Sequence, residues 1–242
     1  MRSRFAPILL ALTILACDDD STGAPGEDGI FEFDFGAGQH GWVAGFADYP
    51  AGEEDKHELL AEHANLPAPL DESRRGVLLS GMNHSDDLFM FLKRRLTGLE
   101  PGTEYGIEIS VEFATNAASG CIGVGGAQGE SVVIKAGAAA VEPDTVVSES
   151  GDVRLNLDKG NQLEAGADAI VLGDIANSST DCFGAPYELK TLESGDQELV
   201  TTTDAAGGLW LFVGSESGYE AKTALYYTRI RAQLTPREAG GL

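Results

Sequence analysis

The stretch TEYGIEISVEF, residues 103–113, decides the fold class of this chain. Apolar side chains occupy every second position from residue 105 onward, and Gly, Glu or Ser fills the positions between them. The apolar set is Tyr105, Ile107, Ile109, Val111 and Phe113. Because successive side chains of a strand point to opposite faces, this period of two predicts a half-buried antiparallel strand.

Similar runs lie on both sides of this strand. LFMFL, residues 88–92, is apolar at every position and predicts a central strand that is buried on both faces. About ten such runs, separated by Gly, Asn, Asp and Pro, extend from Ile30 to Leu234. We therefore predict an all-β, antiparallel jelly-roll β-sandwich of about ten strands with at most one short helix. The helix candidate is EEDKHELLAEHA, residues 53–64.

The chain is expected to contain one folded domain, residues 30–236, because no linker-like segment or internal repeat interrupts these runs. Residues 18–29 contain no apolar side chain larger than Ala or Pro. This composition predicts a disordered acidic tether over residues 17–29. Residues 237–242 are expected to form a flexible tail.

Residues 1–16 predict a signal peptide, because Arg2 and Arg4 precede an apolar run of secretory length. A helix of about twelve residues spans about 18 Å, which is short of the ~30 Å hydrocarbon core. ILAC, residues 14–17, resembles the lipobox of bacterial lipoproteins. The resemblance implies cleavage before Cys17 and acyl chains, such as palmitate, on that residue. These chains would hold the protein to the inner or outer membrane of the cell envelope, on the extracytoplasmic side. The alternative is an ordinary signal peptide followed by a chance cysteine.

The chain is strongly acidic, with 39 Asp and Glu against 16 Lys and Arg and a formal charge of −23. Removal of residues 1–16 takes away two arginines, and the charge becomes −23 − 2 = −25. Such a surface repels nucleic acid and anionic lipid. A nucleic-acid partner is therefore excluded.

Two cysteines remain if Cys17 is lipidated. In an oxidising compartment, Cys121 and Cys182 are expected to form a disulfide. Closing a loop of this length is worth roughly 4 kcal/mol on the chain-entropy estimate. The alternatives are two buried free thiols or two metal ligands. Metal binding is disfavoured because neither cysteine lies in a CxxC pair or near a histidine.

LTGLEPGTEYGIEISVEF, residues 96–113, resembles the strand–turn–strand of fibronectin type III and related sandwich domains. The positions that match are Leu99, Pro101, Gly102, Thr103 and Tyr105. The resemblance implies a sandwich in which the Tyr105 ring is buried and its hydroxyl returns to the backbone. It implies no activity, because a fibronectin domain has only about half this length.

Residues 208–234 resemble the closing hairpin of jelly-roll carbohydrate-binding modules. In many of those modules an aspartate in the last strand helps to hold a calcium ion, whereas this chain has Thr228 at about that place. The chain otherwise resembles bacterial lipoproteins, a likeness that implies no mechanism.

Sugar-binding sites present exposed aromatic rings beside polar groups, and two segments offer them. They are GQHGWVAGFADYP, residues 38–50, and the SESGYE turn, residues 215–220. The predicted ligand-binding residues are Trp42, Asp48, Tyr49 and Tyr219. The alternative for each is ordinary packing.

GMNHSDDLFMF, residues 81–91, predicts a metal site. Its polar residues, Asn83, His84, Asp86 and Asp87, precede the most apolar strand of the chain. Carboxylate and amide oxygens suit calcium, which is the one cofactor that the sequence predicts. One alternative is a general base in a His–Asp pair, and the other is a charged turn whose side chains cap their own backbone.

HELLAEH, residues 57–63, evokes a zinc-protease motif, but its histidines are six residues apart. On a helix they would face away from each other, and on a strand they would lie about 20 Å apart. His57 and His63 are therefore not expected to bind one metal ion together.

These features predict a lipid-anchored envelope module that binds a glycan or another extracytoplasmic ligand. One alternative is a sandwich-fold glycoside hydrolase or polysaccharide lyase. No Ser-His-Asp set can be ordered along the chain, because the sequence does not show which residues meet in space. A pair of glycosidase carboxylates is likewise indistinguishable among 39 acidic residues. The other alternative is a structural or adhesion lipoprotein without a small-molecule site. A binding module should present Trp or Tyr beside polar residues on a sheet face.

Overall fold

Fifteen strands and no α-helix make up the part of the chain that the computed structural model describes, which is residues 26, 29–84 and 87–237. The strands are β1 (Ile30–Asp34), β2 (Val43–Ala47), β3 (Tyr49–Pro50), β4 (Leu60–Asn65), β5 (Arg75–Met82), β6 (Leu88–Leu96), β7 (Glu104–Thr115), β8 (Val132–Ala139), β9 (Thr145–Val147), β10 (Asp152–Leu155), β11 (Ala169–Asp174), β12 (Glu188–Glu193), β13 (Leu199–Thr202), β14 (Leu209–Ser217) and β15 (Lys222–Pro236). The predicted all-β class is confirmed. The strand number exceeds about ten because several short strands, such as β3 and β9, carry little sequence pattern.

The strands form three antiparallel sheets. The first sheet has the order β12-β7-β15-β5-β4, with β1 paired to β15 and β13 paired to β7. The second sheet has the order β11-β8-β14-β6-β2, and the third is the small sheet β3-β10-β9. All strand pairs are antiparallel, which confirms the predicted antiparallel sandwich.

Strand β7 has the burial pattern that its sequence predicts. Its five alternating apolar side chains are buried, and the residues between them are partly or fully exposed. The hydroxyl of Tyr105 accepts a hydrogen bond from the backbone N–H of Glu100 at 3.1 Å. The expected return of this hydroxyl to the backbone is therefore confirmed, and it fixes the turn before β7.

The second sheet is buried on both faces. Its inner face packs on the first sheet in the main core, where Leu79, Phe113 and Val213 are fully buried. On its outer face, Phe89, Phe91 and Phe212 form a second core with nearby alanines and leucines. The third sheet and the segment at 156–168 lie over this second core, and together we call them the third layer. For this reason LFMFL, at the start of β6, is apolar on both sides and has strand neighbours on both edges.

The helix expected at residues 53–64 is absent, which corrects that prediction. Residues 54–58 form turns, and Leu60–Asn65 is the edge strand β4, which pairs with β5. Glu58 has a φ of 46°, outside the helical region. Pairing with β5 therefore overrides the helical spacing of this segment.

The signal peptide, Cys17 and nearly all of the tether lie outside the described residues, as does the tail beyond residue 237. Within the described residues, no helix has the length and apolarity needed to cross a membrane.

Candidate functional site

The outer face of the first sheet carries exposed side chains, among them Glu62, Leu189 and Arg229. We call this surface the open face. The corresponding face of the second sheet is buried under the third sheet and the segment at 156–168. A ligand that binds across a broad sheet surface therefore has the open face available to it.

A row of paired residues crosses the open face near one end of β15. Residues directly opposite each other in neighbouring strands point to the same side of a sheet. The register pairs Leu189 with Ala114, Ala114 with Tyr226, Tyr226 with Leu78, and Leu78 with Glu62. Tyr226 is thus central in this row, with apolar neighbours on both sides and a carboxylate at the edge strand.

A second tyrosine adjoins this row. Tyr187 immediately precedes β12, and its ring lies edge-on to that of Tyr226, with centroids 5.6 Å apart and planes at 88°. Both side chains are half-buried. Tyr187, Leu189, Tyr226 and Glu62 form what we call the tyrosine site.

A β-bulge in β15 keeps both Tyr226 and Arg229 on the open face. The register shifts between Tyr227 and Arg229, so the buried Thr228 is the extra residue. The hydroxyl of Thr228 donates to the carboxylate of Glu112 at 2.7 Å. Thr228 therefore orients a side chain of the open face.

The polar groups beside the tyrosines are paired with one another. Glu112 also accepts a hydrogen bond from Arg74 at 3.0 Å. Arg229 lies 3.7 Å from Glu32 and 3.6 Å from Asp34. The open face therefore combines apolar rings with oriented donors and acceptors.

Both phenols of the tyrosine site are neutral at physiological pH. Burial, followed by the neighbouring Tyr226, raises the pKa of Tyr187 to about 12. Burial and then the charge of Glu62 raise the pKa of Tyr226. Each hydroxyl can accordingly donate as well as accept a hydrogen bond.

The loop before Tyr187 is fixed by the predicted disulfide, which is confirmed. Cys121 and Cys182 are bonded, and their Cα atoms lie 5.5 Å apart. Earlier in the loop, Ser178 Oγ donates to the carboxylate of Glu188 at 2.8 Å. Phe183, which follows Cys182, is fully exposed, and so is Ile122, which follows Cys121. The disulfide thus holds the loop that leads into the tyrosine site and displays apolar side chains at its tip.

The expectation that Trp42 and Tyr49 are exposed is wrong. Trp42 is 4% exposed, and its ring packs edge-on against Phe33 with centroids 5.5 Å apart. Tyr49 is 7% exposed and packs against the ring of His57. The glycines around Trp42 suggested exposure, but the ring inserts into the main core.

The other two predicted ligand residues also lie away from the tyrosine site. Tyr219 is half-buried against the main core, and its ring covers the backbone of Gly123 so closely that a side chain at position 123 would clash with it. Asp48 is 4% exposed, which makes it part of a buried ion cluster. The structure does not bring the four predicted residues together at one exposed site.

The described members of the predicted calcium set have separate partners. The amide nitrogen of Asn83 donates to the carbonyl oxygens of Ser217 at 2.7 Å and Tyr219 at 3.1 Å. His84 contacts the carbonyl oxygen of Lys56, and Asp87 pairs with Arg154. Asp86 lies outside the described residues. The expectation that these side chains surround one ion is therefore corrected for the three described residues.

Asp87 instead joins a buried ion cluster at the edge of the second core. In the described part of the chain, this cluster contains the one group of three potential metal ligands that converge: Asp48, Asp87 and Glu216 have oxygens within 4.8 Å of one another. Lys159 Nζ lies 2.9 Å from Asp48 Oδ2 and 2.6 Å from Glu216 Oε1. The protein's own ammonium group therefore occupies the place that a metal ion would take.

Two more cations complete the cluster. Arg154 Nη1 lies 2.9 Å from both Asp48 Oδ1 and Asp87 Oδ2. Lys135 Nζ lies 2.5 Å from Glu216 Oε2. Three carboxylates thus face three cations, and Arg154 Nη2 also lies 3.4 Å from Asp152 Oδ2 at the rim of the cluster.

The ionisation of the cluster follows from its burial. Burial raises the pKa of Asp87 and lowers that of Lys135. For Lys159, burial opposes the charge, but Asp48 and Glu216 outweigh it and raise the pKa. Each carboxylate of the cluster is paired with at least one cation, so the cluster links the third layer to the second sheet.

No family model and no curated protein matches this chain. Among solved structures, it is similar to a putative sugar binding protein from Bacteroides thetaiotaomicron, at 9% identity and a TM-score of 0.39, over 81% of this chain and 88% of that one. It is also similar to TmCBM61 in complex with β-1,4-galactotriose, at 10% identity and a TM-score of 0.34, over 81% of this chain and 88% of that one.

A third similar structure is the enzymatically active domain of tailspike protein 4 from bacteriophage CBA120. The identity is 13% and the TM-score 0.35, over 81% of this chain but only 19% of that one. TM-scores of this size are too low to carry an argument about family or function. The fold is therefore established by the pairing of its own strands.

Proposed function

We propose that this chain is a lipid-anchored module of the bacterial cell envelope that binds a glycan on its open face. The observation that carries the proposal is the tyrosine site, where two edge-on rings stand beside Leu189 and Glu62 on a solvent-facing sheet. Pyranose rings present apolar C–H faces and a rim of hydroxyls. A half-buried tyrosine offers an apolar body and a polar tip, which matches both features.

The position of the site relative to the N-terminus supports this proposal. Ile30 pairs with Gln233, so the chain enters the domain at one end of β15. Tyr226 is seven residues from Gln233 along β15, a distance of about 23 Å at the usual rise per residue. With acyl chains on Cys17 in the membrane, the tyrosine site would lie toward the far end of the domain, where an external ligand has access.

The disulfide supports an extracytoplasmic location, because such bonds form and persist in oxidising compartments. The acidic surface supports a neutral or cationic ligand over an anionic one. Both features suit a protein that leaves the cytoplasm and meets a glycan outside it.

A glycan array probed with the chain lacking residues 1–16 and carrying Cys17→Ser tests the proposal. We expect binding to a defined glycan class, and Tyr226→Ala should weaken it by at least about tenfold, or 1.4 kcal/mol. Val147→Ala is the matched control, because Val147 is 65% exposed on the third layer, away from the open face. Absence of glycan binding, or equal loss in both variants, would contradict the proposal.

An adhesion role is the second candidate, and a specific observation favours it. Ile122, Val124 and Phe183 are 100%, 68% and 102% exposed around the disulfide. Fully exposed apolar side chains on a constrained tip are typical of protein contacts. If the array shows no ligand while Phe183→Ser abolishes adhesion of envelope-anchored protein, the adhesion role replaces glycan binding.

A further inference from the structure

His57 is a fully buried side chain with one unsatisfied ring nitrogen. Its Nδ1 lies 3.0 Å from the carbonyl oxygen of Glu53. A carbonyl can only accept, so Nδ1 carries the proton, and Nε2 of the neutral ring has a free lone pair. Nε2 is buried and has no hydrogen-bond partner. Such an atom costs about 1–3 kcal/mol unless a water or an ion satisfies it.

His84 lies beside His57 and uses the other type of ring nitrogen for its hydrogen bond. The ring of this exposed residue has Nε2 3.2 Å from the carbonyl oxygen of Lys56. By the same reasoning Nε2 donates, and Nδ1 has the free lone pair. The two ring centroids lie 5.3 Å apart, with planes at 80°. Each imidazole thus has one nitrogen fixed on a carbonyl oxygen and the other available.

This separation suits two imidazoles that share one metal ion. With metal–nitrogen bonds of about 2.1 Å and a tetrahedral angle, the ring centroids lie about 5 Å apart. Histidines that bind metals characteristically donate their second ring nitrogen to a carbonyl or carboxylate oxygen, which fixes the tautomer. Both histidines show that arrangement here.

The surroundings of the two rings combine an ion pair with an aromatic contact. Lys56 Nζ donates to Glu53 Oε2 at 2.9 Å in the turn that carries His57. The ring of Tyr49 also packs against that of His57, with centroids 5.4 Å apart.

We propose that His57 and His84 bind one divalent late transition-metal ion, of the zinc, copper and nickel class, with solvent completing the coordination. Imidazole nitrogen suits these metals, whereas calcium requires oxygen ligands. The ion would connect the turn at 54–58 to the end of β5, because His57 belongs to that turn and His84 follows Met82 closely. This site is independent of the tyrosine site.

Titration calorimetry with zinc chloride, on the chain lacking residues 1–16 and carrying Cys17→Ser, tests the proposal. We expect one ion per chain, and His84→Gln should weaken binding by at least about tenfold. His63→Gln is the matched control, because His63 Nε2 also contacts a carbonyl oxygen, that of Phe35 at 2.6 Å. Its affinity should equal that of the parent chain.

Two-dimensional NMR of the imidazole nitrogens adds a readout that does not require a variant of the buried histidine. Zinc should shift the Nε2 signal of His57 and the Nδ1 signal of His84, and calcium chloride should shift neither. The proposal is overturned if the His57 signals do not move at saturating zinc, or if His84→Gln and His63→Gln bind zinc equally well.

Discussion

Lys135 and Glu216 face each other from the neighbouring strands β8 and β14, with Nζ and Oε2 2.5 Å apart and neither side chain exposed to solvent. A buried ion pair stabilises the fold only if the remaining donors and acceptors of both side chains are also hydrogen-bonded. Lys135 Nζ also donates to the carbonyl oxygens of Lys159 and Glu164, each at 2.9 Å. The pair is therefore the innermost part of the ion cluster that holds the third layer in place.

The first prediction concerns the removal of one charge from this pair. Glu216→Gln leaves two buried ammonium groups short of one carboxylate, and we expect a loss of about 3–5 kcal/mol in the free energy of unfolding. Urea denaturation measures this loss. Glu58→Gln is the control, because Glu58 pairs with Lys222 at the surface, with both side chains 54% exposed. Its effect should stay below about 1 kcal/mol, and a similar loss in both variants would contradict the role of the cluster.

The second prediction concerns Tyr105. Tyr105→Phe removes the hydroxyl that accepts the N–H of Glu100, and we expect a loss of about 0.5–1.5 kcal/mol in unfolding free energy. Tyr226→Phe provides the comparison, because the half-buried Tyr226 should change stability by less than about 0.5 kcal/mol. Equal values for the two variants would show that the turn before β7 does not depend on this hydrogen bond.

The third prediction concerns alkaline pH. Burial raises the pKa of Tyr187 from 10.0 to about 12, so the folded chain retains this proton longer than the unfolded chain does. The stability contributed by Tyr187 is therefore fully present below pH 10 and is lost as the pH rises through about 12. Ultraviolet absorbance of tyrosinate should show late-titrating tyrosines, and their amplitude should fall by one residue in Tyr187→Phe, because the buried Tyr227 also has a raised pKa. An unchanged titration curve in this variant would contradict the assignment.

The fourth prediction concerns the disulfide. Replacing Cys121 and Cys182 together by Ser removes a link across a separation of 61 residues. We expect the free energy of unfolding to fall by roughly 4 kcal/mol. Calorimetric unfolding of the double variant and of the reduced parent chain, each compared with the oxidised parent chain, measures the change. If the double variant and the reduced parent both melt like the oxidised parent, the loop is held by its other contacts.

Alternation along single segments was sufficient to predict the fold class. Strand β7 has its five apolar residues buried as its period of two requires, because local spacing alone decides which face of a strand is apolar. The apolar run LFMFL predicts a strand that is buried on both faces. The sequence does not show that residues about 50–80 positions later cover its outer face.

The sites depend on pairings that no single segment contains. Tyr187 and Tyr226 meet because β12 and β15 both pair with β7, a relation that spacing along the chain does not reveal. Lys135 and Lys159 are isolated lysines in or near apolar runs, and that was the available signal for a buried ion cluster. Trp42 was misassigned because glycine-rich flanks indicate a loop, whereas only the packing of Phe33 against the ring shows that the loop turns inward.

The third layer bears on how the chain can be shortened. A version without residues 144–168 would leave Phe89, Phe91 and Phe212 uncovered. Glu216 would lose Lys159 and keep Lys135 as its partner. Such a product would be expected to precipitate during expression. Anyone trimming the chain to a minimal form should therefore keep this region, even though much of it has the appearance of dispensable loop.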